Sequence, residues 1–315
     1  MSRLHICNTF FEEELGSSKR QSLKDWLRSH PAVLQLQYLP LLYANPDDLI
    51  LVSDLPPNPD PRLRLLDDPT LKGQIESWGA SLAIKAWADA KGLKYEIPDW
   101  DAVREINSKA FSFLESPKLP HAALLKTQDE LKNWIENTPG PKVLKTLFGT
   151  AGRGHFHVGS PRKTNELPLI GEPWVNRLFD FSTQWKNGEL LGVTAFENEP
   201  TGTYKETRTG NPQELFEPYF WALEEHLFHA KPILKKIQER GFFGHLGIDA
   251  YVYRLGDKLH LQPIVEINGR KTMSWAALKL NKKHFRYSQA SNGALPNKLV
   301  MNNKQIRFSR NLKYS

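Results

Sequence analysis

Only one cysteine, Cys7, stands in the 315 residues. An internal disulfide is therefore excluded, and a lone thiol near the start of a chain is expected to be a buried small hydrophobe. Long apolar runs are missing too. None reaches the roughly 20 residues of a membrane-spanning helix, and no basic n-region leads into an apolar stretch, so no membrane partner and a cytoplasmic location are expected. Neither a Gly-Lys-Ser/Thr phosphate loop nor a Gly-x-Gly-x-x-Gly helix opening occurs. The histidines lack metal-site spacing, and His155, His157 and His245 are read as loop or core residues. The chain contains no repeat of fixed period and no low-complexity tract.

Acidic residues are absent from Asn281 to Ser315, where eight basic residues stand. That leaves 34 basic against 35 acidic residues elsewhere, so the net charge of +7 and the pI near 9.3 belong to this tail. A basic end can steer an anionic partner or simply solvate a terminus. Leu299-Val-Met, an Asn302-Asn303 turn and Lys304 to Phe308 also read as a small hairpin. As a nucleic-acid surface the tail offers few interleaved aromatics, only Phe285, Tyr287, Phe308 and Tyr314.

What is present is enough for an enzyme. With 40% hydrophobic residues and nine Trp, the chain can bury the cores of two or three subdomains. In the N-terminal third, Arg3 to Cys7 and Leu49 to Val52 read as strands, with Val33 to Tyr38 as a third. A proline-rich loop follows over residues 54–62. Ile75 to Lys91 reads as a helix closed by Gly92, and Leu93 to Ile97 as the next strand, which together imply a small α/β sheet. Thr127 and Glu130 form a capping box for a helix from Gln128 to Glu136. Phe216 to Arg240 reads as a helix broken near Pro232, with Phe216, Tyr219, Phe220 and Trp221 as core packing. The polar segment from Thr201 to Pro212 reads as a surface loop, with Lys205 or Arg208 able to bring charge if it closes over substrate.

The most informative stretch lies near the C-terminus. Gly247 to Tyr253 and Leu261 to Arg270 flank a Gly256-Asp257 turn, so a two-residue hairpin is expected with Leu255 opposite Lys258 and Asp249 opposite Ile264. Alternation then places Asp249, Glu266 and Asn268 on one face and Ile248, Ala250, Val252, Val265 and Ile267 on the other. Three oxygen-bearing side chains on one face, with Arg270 beyond, suit hard Mg²⁺ ions that retain water and substrate phosphates. Acids on an exposed hairpin face are also commonplace. Upstream, Val143 to Phe148 reads as a strand leading into Gly149-Thr-Ala-Gly152-Arg-Gly154. Backbone N–H groups in such a turn can approach phosphate closely, with Lys145 as a point charge.

Taken in order from about Arg104 to Leu280, these segments resemble an ATP-grasp enzyme of the carboxylate–amine ligase type. Ile-Asn-Ser-Lys, ending at Lys109, resembles the first nucleotide lysine and Lys145 the second, with Gly149, Gly152 and Gly154 in the mobile loop over the phosphates. Leu167 to Val175 is similar to the hinge strand that reads adenine, which implies Glu172 and Val175 at the hinge and Asp180 on the ribose. Asp249, Glu266 and Asn268 match the metal positions, and Arg270 an arginine that neutralises the transferred phosphoryl group; Lys145 and Arg270 become the catalytic cations. The resemblance implies an α/β ATP-grasp fold with a pre-ATP-grasp domain over residues 1–118, a central subdomain over 119–172, a metal-bearing subdomain over 173–280 and the basic segment 281–315. It implies ATP and two Mg²⁺ ions, a carboxylate and an amine as substrates, and an acyl phosphate between them. A homodimer is compatible with it. The alternatives are a small-molecule kinase built on the same site and a nucleic-acid-binding protein using the tail.

Overall fold

Parallel pairing organises the N-terminal region, where short apolar strands can be buried on both faces. The computed structural model describes residues 2–149, 154–160, 166–198 and 205–280, with the backbone alone for residues 204, 284–285, 299–302 and 305–308. Strands β1 (Arg3–Ile6), β2 (Leu49–Val52), β3 (Leu63–Leu65) and β4 (Gln74–Ser77) form a sheet in the order β3-β2-β1-β4. Around it lie helices α1 (Phe11–Gly16), α2 (Leu23–Leu27), α3 (Pro31–Leu36) and α4 (Leu82–Ala90).

Three expectations are corrected here. Val33 to Tyr38 is not a strand, because Pro31 opens a helix there and Val33 and Leu36, three apart, turn the same way into the core. Ile75 to Lys91 is not one helix. Ile75 pairs with Leu4 in the sheet, and α4 begins only where the Ser81 hydroxyl accepts the Ile84 N–H. Leu93 to Ile97 contributes a single bridge, Lys94 to Gln74, in place of a strand. Gly92 does cap α4, at φ +64°, and Cys7 is buried.

Helices α5 (Trp100–Asn107) and α6 (Lys109–Glu115) lead to an antiparallel sheet. It contains β5 (Ala123–Leu125), β6 (Lys142–Thr146), β7 (His155–His157) and β8 (Leu169–Pro173) in the order β5-β8-β6-β7. Helix α7 (Gln128–Asn137) starts at the full Thr127–Glu130 capping box. Both strands of interest are shorter than expected: the lysine strand stops at Thr146 and the hinge strand at Pro173, leaving Val175 in the connection that follows.

The third sheet has the order β13-β12-β9-β10-β11-β14. Its strands are β9 (Asn176–Lys186), β10 (Glu189–Asn198), β11 (Tyr204–Arg208), β12 (His245–Leu255), β13 (Lys258–Asn268) and β14 (His284–Phe285). Of the Thr201 to Pro212 segment read as a loop, Tyr204–Arg208 is β11, antiparallel to β10, and Lys205 pairs with Glu197; residues 201–203 lie outside the described residues. A short helix α8 (Pro212–Leu215) precedes α9 (Phe220–Glu239). Helix α9 runs unbroken through Pro232. Pro232 lies on its exposed side, where the carbonyl it leaves unpaired can meet water. Ala230, Ile233, Leu234 and Ile237 of α9 cluster with Ile248, Ile264 and Ile267 of the hairpin. Farther along, Phe216 clusters with Phe179, Phe181, Ala250 and Val252, and Tyr219, Phe220 and Trp221 pack against them.

Helix α10 (Met273–Lys279) joins β13 to the N-terminal region, packing Ala276 and Ala277 against Cys7, Leu36, Leu39 and Trp78. In the tail, β15 (Leu299–Asn302) pairs with β16 (Gln305–Phe308). Asn302 lies opposite Gln305, so it ends a strand and does not begin the turn as expected; residues 303 and 304 lie outside the described residues.

Immediately before α10, Lys271 crosses to the N-terminal sheet. Its ammonium donates to Glu76 Oε1 at 2.5 Å and to the Ser77 carbonyl at 3.1 Å, and its side chain is 2% exposed. Removing one member of a buried pair strands the other charge. Glu76→Gln is expected to destabilise the protein by about 3 kcal/mol in urea unfolding, and Glu76→Gln with Lys271→Met to recover part of that loss.

Candidate functional site

Pairing in the β12–β13 hairpin begins as expected, with Leu255 opposite Lys258. It does not continue regularly. Between Tyr251↔Gln262 and Asp249↔Glu266 the second strand contains three intervening residues against one, so Asp249 faces Glu266 and not Ile264. Pro263 lies in that bulge, has no N–H for a ladder, and sits on an edge strand where this is tolerated. A shift of two residues preserves alternation, which keeps Asp249, Glu266 and Asn268 on one face. Locally it does not: Ile264 turns into the core, while Val265, expected there, packs with Tyr251 and Tyr253.

The acids do not stand alone. Lys109, at the start of α6, donates from Nζ to Glu266 Oε1 at 2.7 Å and to the Gly149 carbonyl at 3.3 Å. Its own N–H reaches the Leu147 carbonyl at 2.9 Å, tying the helix to the end of the lysine strand. Lys145 Nζ lies 2.5 Å from Glu172 Oε2. Asp180 pairs with Arg177 and sits on the same sheet face as Asp249, opposite Tyr251 and two residues from Ser182, which is opposite Asp249. A cleft lined by Lys109, Lys145, Ile170, Glu172, Leu119 and Val265 runs between the second and third sheets. The structure therefore brings together Lys109, Lys145, Glu172 and the hairpin face. Val175 borders the same area, packed against Leu119 and the two tyrosines. Gly154, at φ +99°, returns its carbonyl to the Thr146 N–H. Gly152 lies outside the described residues.

Arg270 follows the end of β13 and does not turn to solvent. It donates from Nη2 to Asn268 Oδ1 at 3.0 Å, bridges to Gly79 and pairs with Glu12 on α1. The intervening Gly269 is required by space: a Cβ there would lie 2.6 Å from Asn107 Nδ2, and the Asn107 side-chain Oδ1 accepts the Gly269 N–H at 2.7 Å.

Sequence reasoning missed two participants. Glu12 is one; nothing in its surroundings marks it. His155 is the other, opposite Lys145 on β7 and buried enough, beside Lys145 and Lys109, for its imidazole to be pushed down to about 4. Its place directly after Gly154, alternating toward Lys145, was the available signal.

Burial would raise the Glu266 carboxyl, but the charge and hydrogen bond of Lys109, helped by His155 and Arg270, hold it below the ordinary range. Asp249 goes the other way. Burial first and the Glu266 charge second raise it to about 7, against the Ser182 hydroxyl and Arg270. Asp180 is raised by burial and opposed by Arg177. Two facing carboxylates and an amide oxygen are hard donors of the kind Mg²⁺ takes, and the elevated Asp249 marks an uncompensated anionic demand that a cation would relieve. The donor types fit such an ion, with the Asn268 amide, whose Nδ2 donates to Asp249 Oδ2 at 3.1 Å and whose Oδ1 accepts from Arg270, having to turn its oxygen inward to join them. Among the described residues, no group of three or more His, Cys, Asp or Glu side chains is placed to hold one; here the third ligand would be Asn268.

No protein-family model matches the sequence, and no curated protein matches it. Among solved structures, the chain is similar to N5-carboxyaminoimidazole ribonucleotide synthetase in its ADP complex, at 15% identity and TM-score 0.50, over 87% of this chain and 70% of that one. The N5-carboxyaminoimidazole synthetase of Staphylococcus aureus with ADP gives 13%, TM-score 0.49, and 87% and 71%. The biotin carboxylase domain of the Hydrogenobacter thermophilus 2-oxoglutarate carboxylase gives 15%, TM-score 0.42, and 62% and 49%. The first of these comparisons defines the fold as ATP-grasp, and the chain spans about seven-tenths of that synthetase's length. Among the described residues no helix is long and apolar enough to cross a membrane.

A carboxyl raised in the folded state favours folding most below its unfolded value near 3.8, and that contribution is lost as pH rises through about 7. Without divalent cation, Asp249→Asn is expected to raise Tm relative to wild type by an amount that grows from pH 4 to 7 and then levels. Magnesium should narrow the gap at pH 8.

Proposed function

We propose that this protein is an ATP-dependent ligase that joins a carboxylate to an amine through an acyl phosphate. The observation that carries the reading is the meeting of Lys109, Lys145 and Arg270 with the Asp249–Glu266–Asn268 face inside an ATP-grasp fold. Residues 1–118, 119–172, 173–280 and 281–315 serve as its functional divisions, with the cleft between the second and third.

In this reading Lys109 and Lys145 bind the nucleotide phosphates, while Gly149, Gly152 and Gly154 bring backbone N–H groups over them. Glu172 and Val175 orient the adenine and Asp180 the ribose. Asp249, Glu266 and Asn268 would hold Mg²⁺, two ions in all, which when bound supplies charge neutralisation for the phosphates. Arg270, kept near Asn268 by Glu12, neutralises the phosphoryl group as the substrate carboxylate takes it from ATP. Attack by the amine on the acyl carbon then expels phosphate. Positioning and electrostatics do most of this work. Lys109, Lys145 and Arg270 are already paired with Glu266, Glu172 and Glu12, so the nucleotide phosphates would exchange existing partners, while Asp249 offers its carboxyl to the metal.

ADP and inorganic phosphate should appear in equal amounts when acid and amine are both present, and hydroxylamine should trap a hydroxamate when the amine is withheld. A stable phosphorylated alcohol without free phosphate would overturn the ligase reading. Glu266→Gln is expected to abolish turnover while leaving thermal unfolding cooperative; wild-type activity in that variant would remove the metal assignment. Substitution of Glu172 should raise KM for ATP more than it lowers kcat, because adenine contacts are made in ground and transition states alike. For the basic segment, neutralising Lys304, Arg307 and Arg310 should lower kcat/KM chiefly at low ionic strength if it steers an anionic substrate.

A further inference from the structure

On the core side of the β12–β13 hairpin a buried histidine meets the bulge of β13. His226, on α9, and Thr183, on β9, are both fully buried. His226 Nδ1 stands 2.7 Å from the Pro263 carbonyl oxygen, and Nε2 stands 2.7 Å from Thr183 Oγ1. Trp185 Nε1 donates to the same Thr183 oxygen at 2.8 Å. The imidazole also meets the Phe181 ring edge-on, with 5.2 Å between centroids, and Phe181 lies opposite Ala250 on β12. Ala250 is the one residue of β12 set against Pro263, Ile264 and Val265.

The hydrogen positions follow from the chemistry of each group. A carbonyl oxygen only accepts, so Nδ1 carries the hydrogen. Burial pushes the imidazole down to about 4, so near neutral pH it is uncharged and Nε2 is a bare acceptor. The indole of Trp185 only donates, so the Thr183 hydroxyl accepts from it and donates to Nε2. Hydrogen bonds therefore run one way, from Trp185 to Thr183 to His226 to Pro263. The Ile264 carbonyl is met separately, by Ser116 Oγ at 3.2 Å from the end of α6 and by Gln262 Nε2 at 3.3 Å.

Three residues against one leave β13 with a surplus of two at this point, and the pairing ladder alone does not dictate where a surplus is taken up. Pro263 has no N–H with which to fix it. Continued without the bulge, the register of the Leu255–Lys258 closure would set Asp249 against Ile264 in place of Glu266. We propose that His226 is a positioning residue: by donating to the Pro263 carbonyl it pins the surplus of β13 opposite Ala250 and so holds Glu266 facing Asp249. Its bearing on catalysis rests on the ligase reading of that face; the clamp on the register does not.

Two polar variants separate the bonds. In His226→Asn the amide nitrogen can replace Nδ1 and keep the bond to Pro263, while in His226→Gln it can replace Nε2 and keep only the contact to Thr183. In the metal-free full chain, amide hydrogen exchange over residues 262–268 should be at least about tenfold faster in His226→Gln than in His226→Asn, with exchange in α7 equal. Calorimetric titration with ADP alone should give the same affinity in both, and Mg²⁺ should tighten ADP binding at least about tenfold less in His226→Gln. Equal exchange over 262–268 in the two variants overturns the proposal, as does a rise that extends evenly into α7, the mark of a general core role. Separated exchange with the same Mg²⁺ effect as wild type in both would deny His226 a part in the site and overturn it as well. If Mg²⁺ leaves ADP binding by the wild-type protein unchanged, the metal assignment fails, and the exchange comparison still decides the clamp. Should His226→Gln fail to fold, Thr183→Val takes its place: it cuts the chain on the far side of the imidazole, so exchange over 262–268 should keep the wild-type rate, and a rise of about tenfold overturns the proposal.

Discussion

The Lys109–Glu266 ion pair is the interaction around which the cleft is arranged. Its lysine opens α6 and its glutamate sits on the last strand of the third sheet, while the same ammonium reaches the carbonyl of Gly149 at the head of the glycine loop. Three parts of the chain, 157 residues apart at the extremes of the ion pair, are thus brought together by one group. Such a pair is weak evidence for stability, because taking both charges out of water offsets most of their attraction. Its value lies in placement. With Glu266 held below the ordinary carboxyl range by Lys109, its charge helps raise the facing Asp249 carboxyl, so the two are driven in opposite directions.

Electrostatic pairing extends through the rest of the cleft. Lys145 is matched by Glu172, Arg177 by Asp180 and Arg270 by Glu12. In each of these pairs a cation stands against an acid, so neither charge is left alone in a poorly solvated space.

The N-terminal sheet reaches the same centre from the side. Glu12 on α1 holds Arg270, Gly79 bridges to it, and Lys271 enters the N-terminal region to meet Glu76. These contacts join positions 258 and 195 residues apart. They anchor the turn after Asn268, where Gly269 leaves no room for a side chain against Asn107. Strand β13 therefore ends at a point fixed by another region of the protein.

Local features were readable wherever the controlling physics is local. The Thr127–Glu130 capping box, the Gly92 cap and the Leu255–Lys258 hairpin closure each depend on a few adjacent residues. The face shared by Asp249, Glu266 and Asn268 follows from a side-chain period of two, and it survived a bulge because a shift of two residues conserves parity. The partner of Asp249 did not survive it, and neither did the side taken by Val265. Pro263 signals only that a ladder bond is missing, while packing against α9 decides how the strand absorbs it. Likewise Ile75 has the spacing of a helix, but pairing with β1 claims it for a strand. Sequence alone determined that Asp249, Glu266 and Asn268 occupy one strand face, since that is a property of side-chain alternation. Tertiary structure alone decided that Glu266 is paired with Lys109, Arg270 with Glu12, and Lys145 with His155 across from it, because those neighbours are chosen by the packing of separate elements and no short-range pattern encodes them.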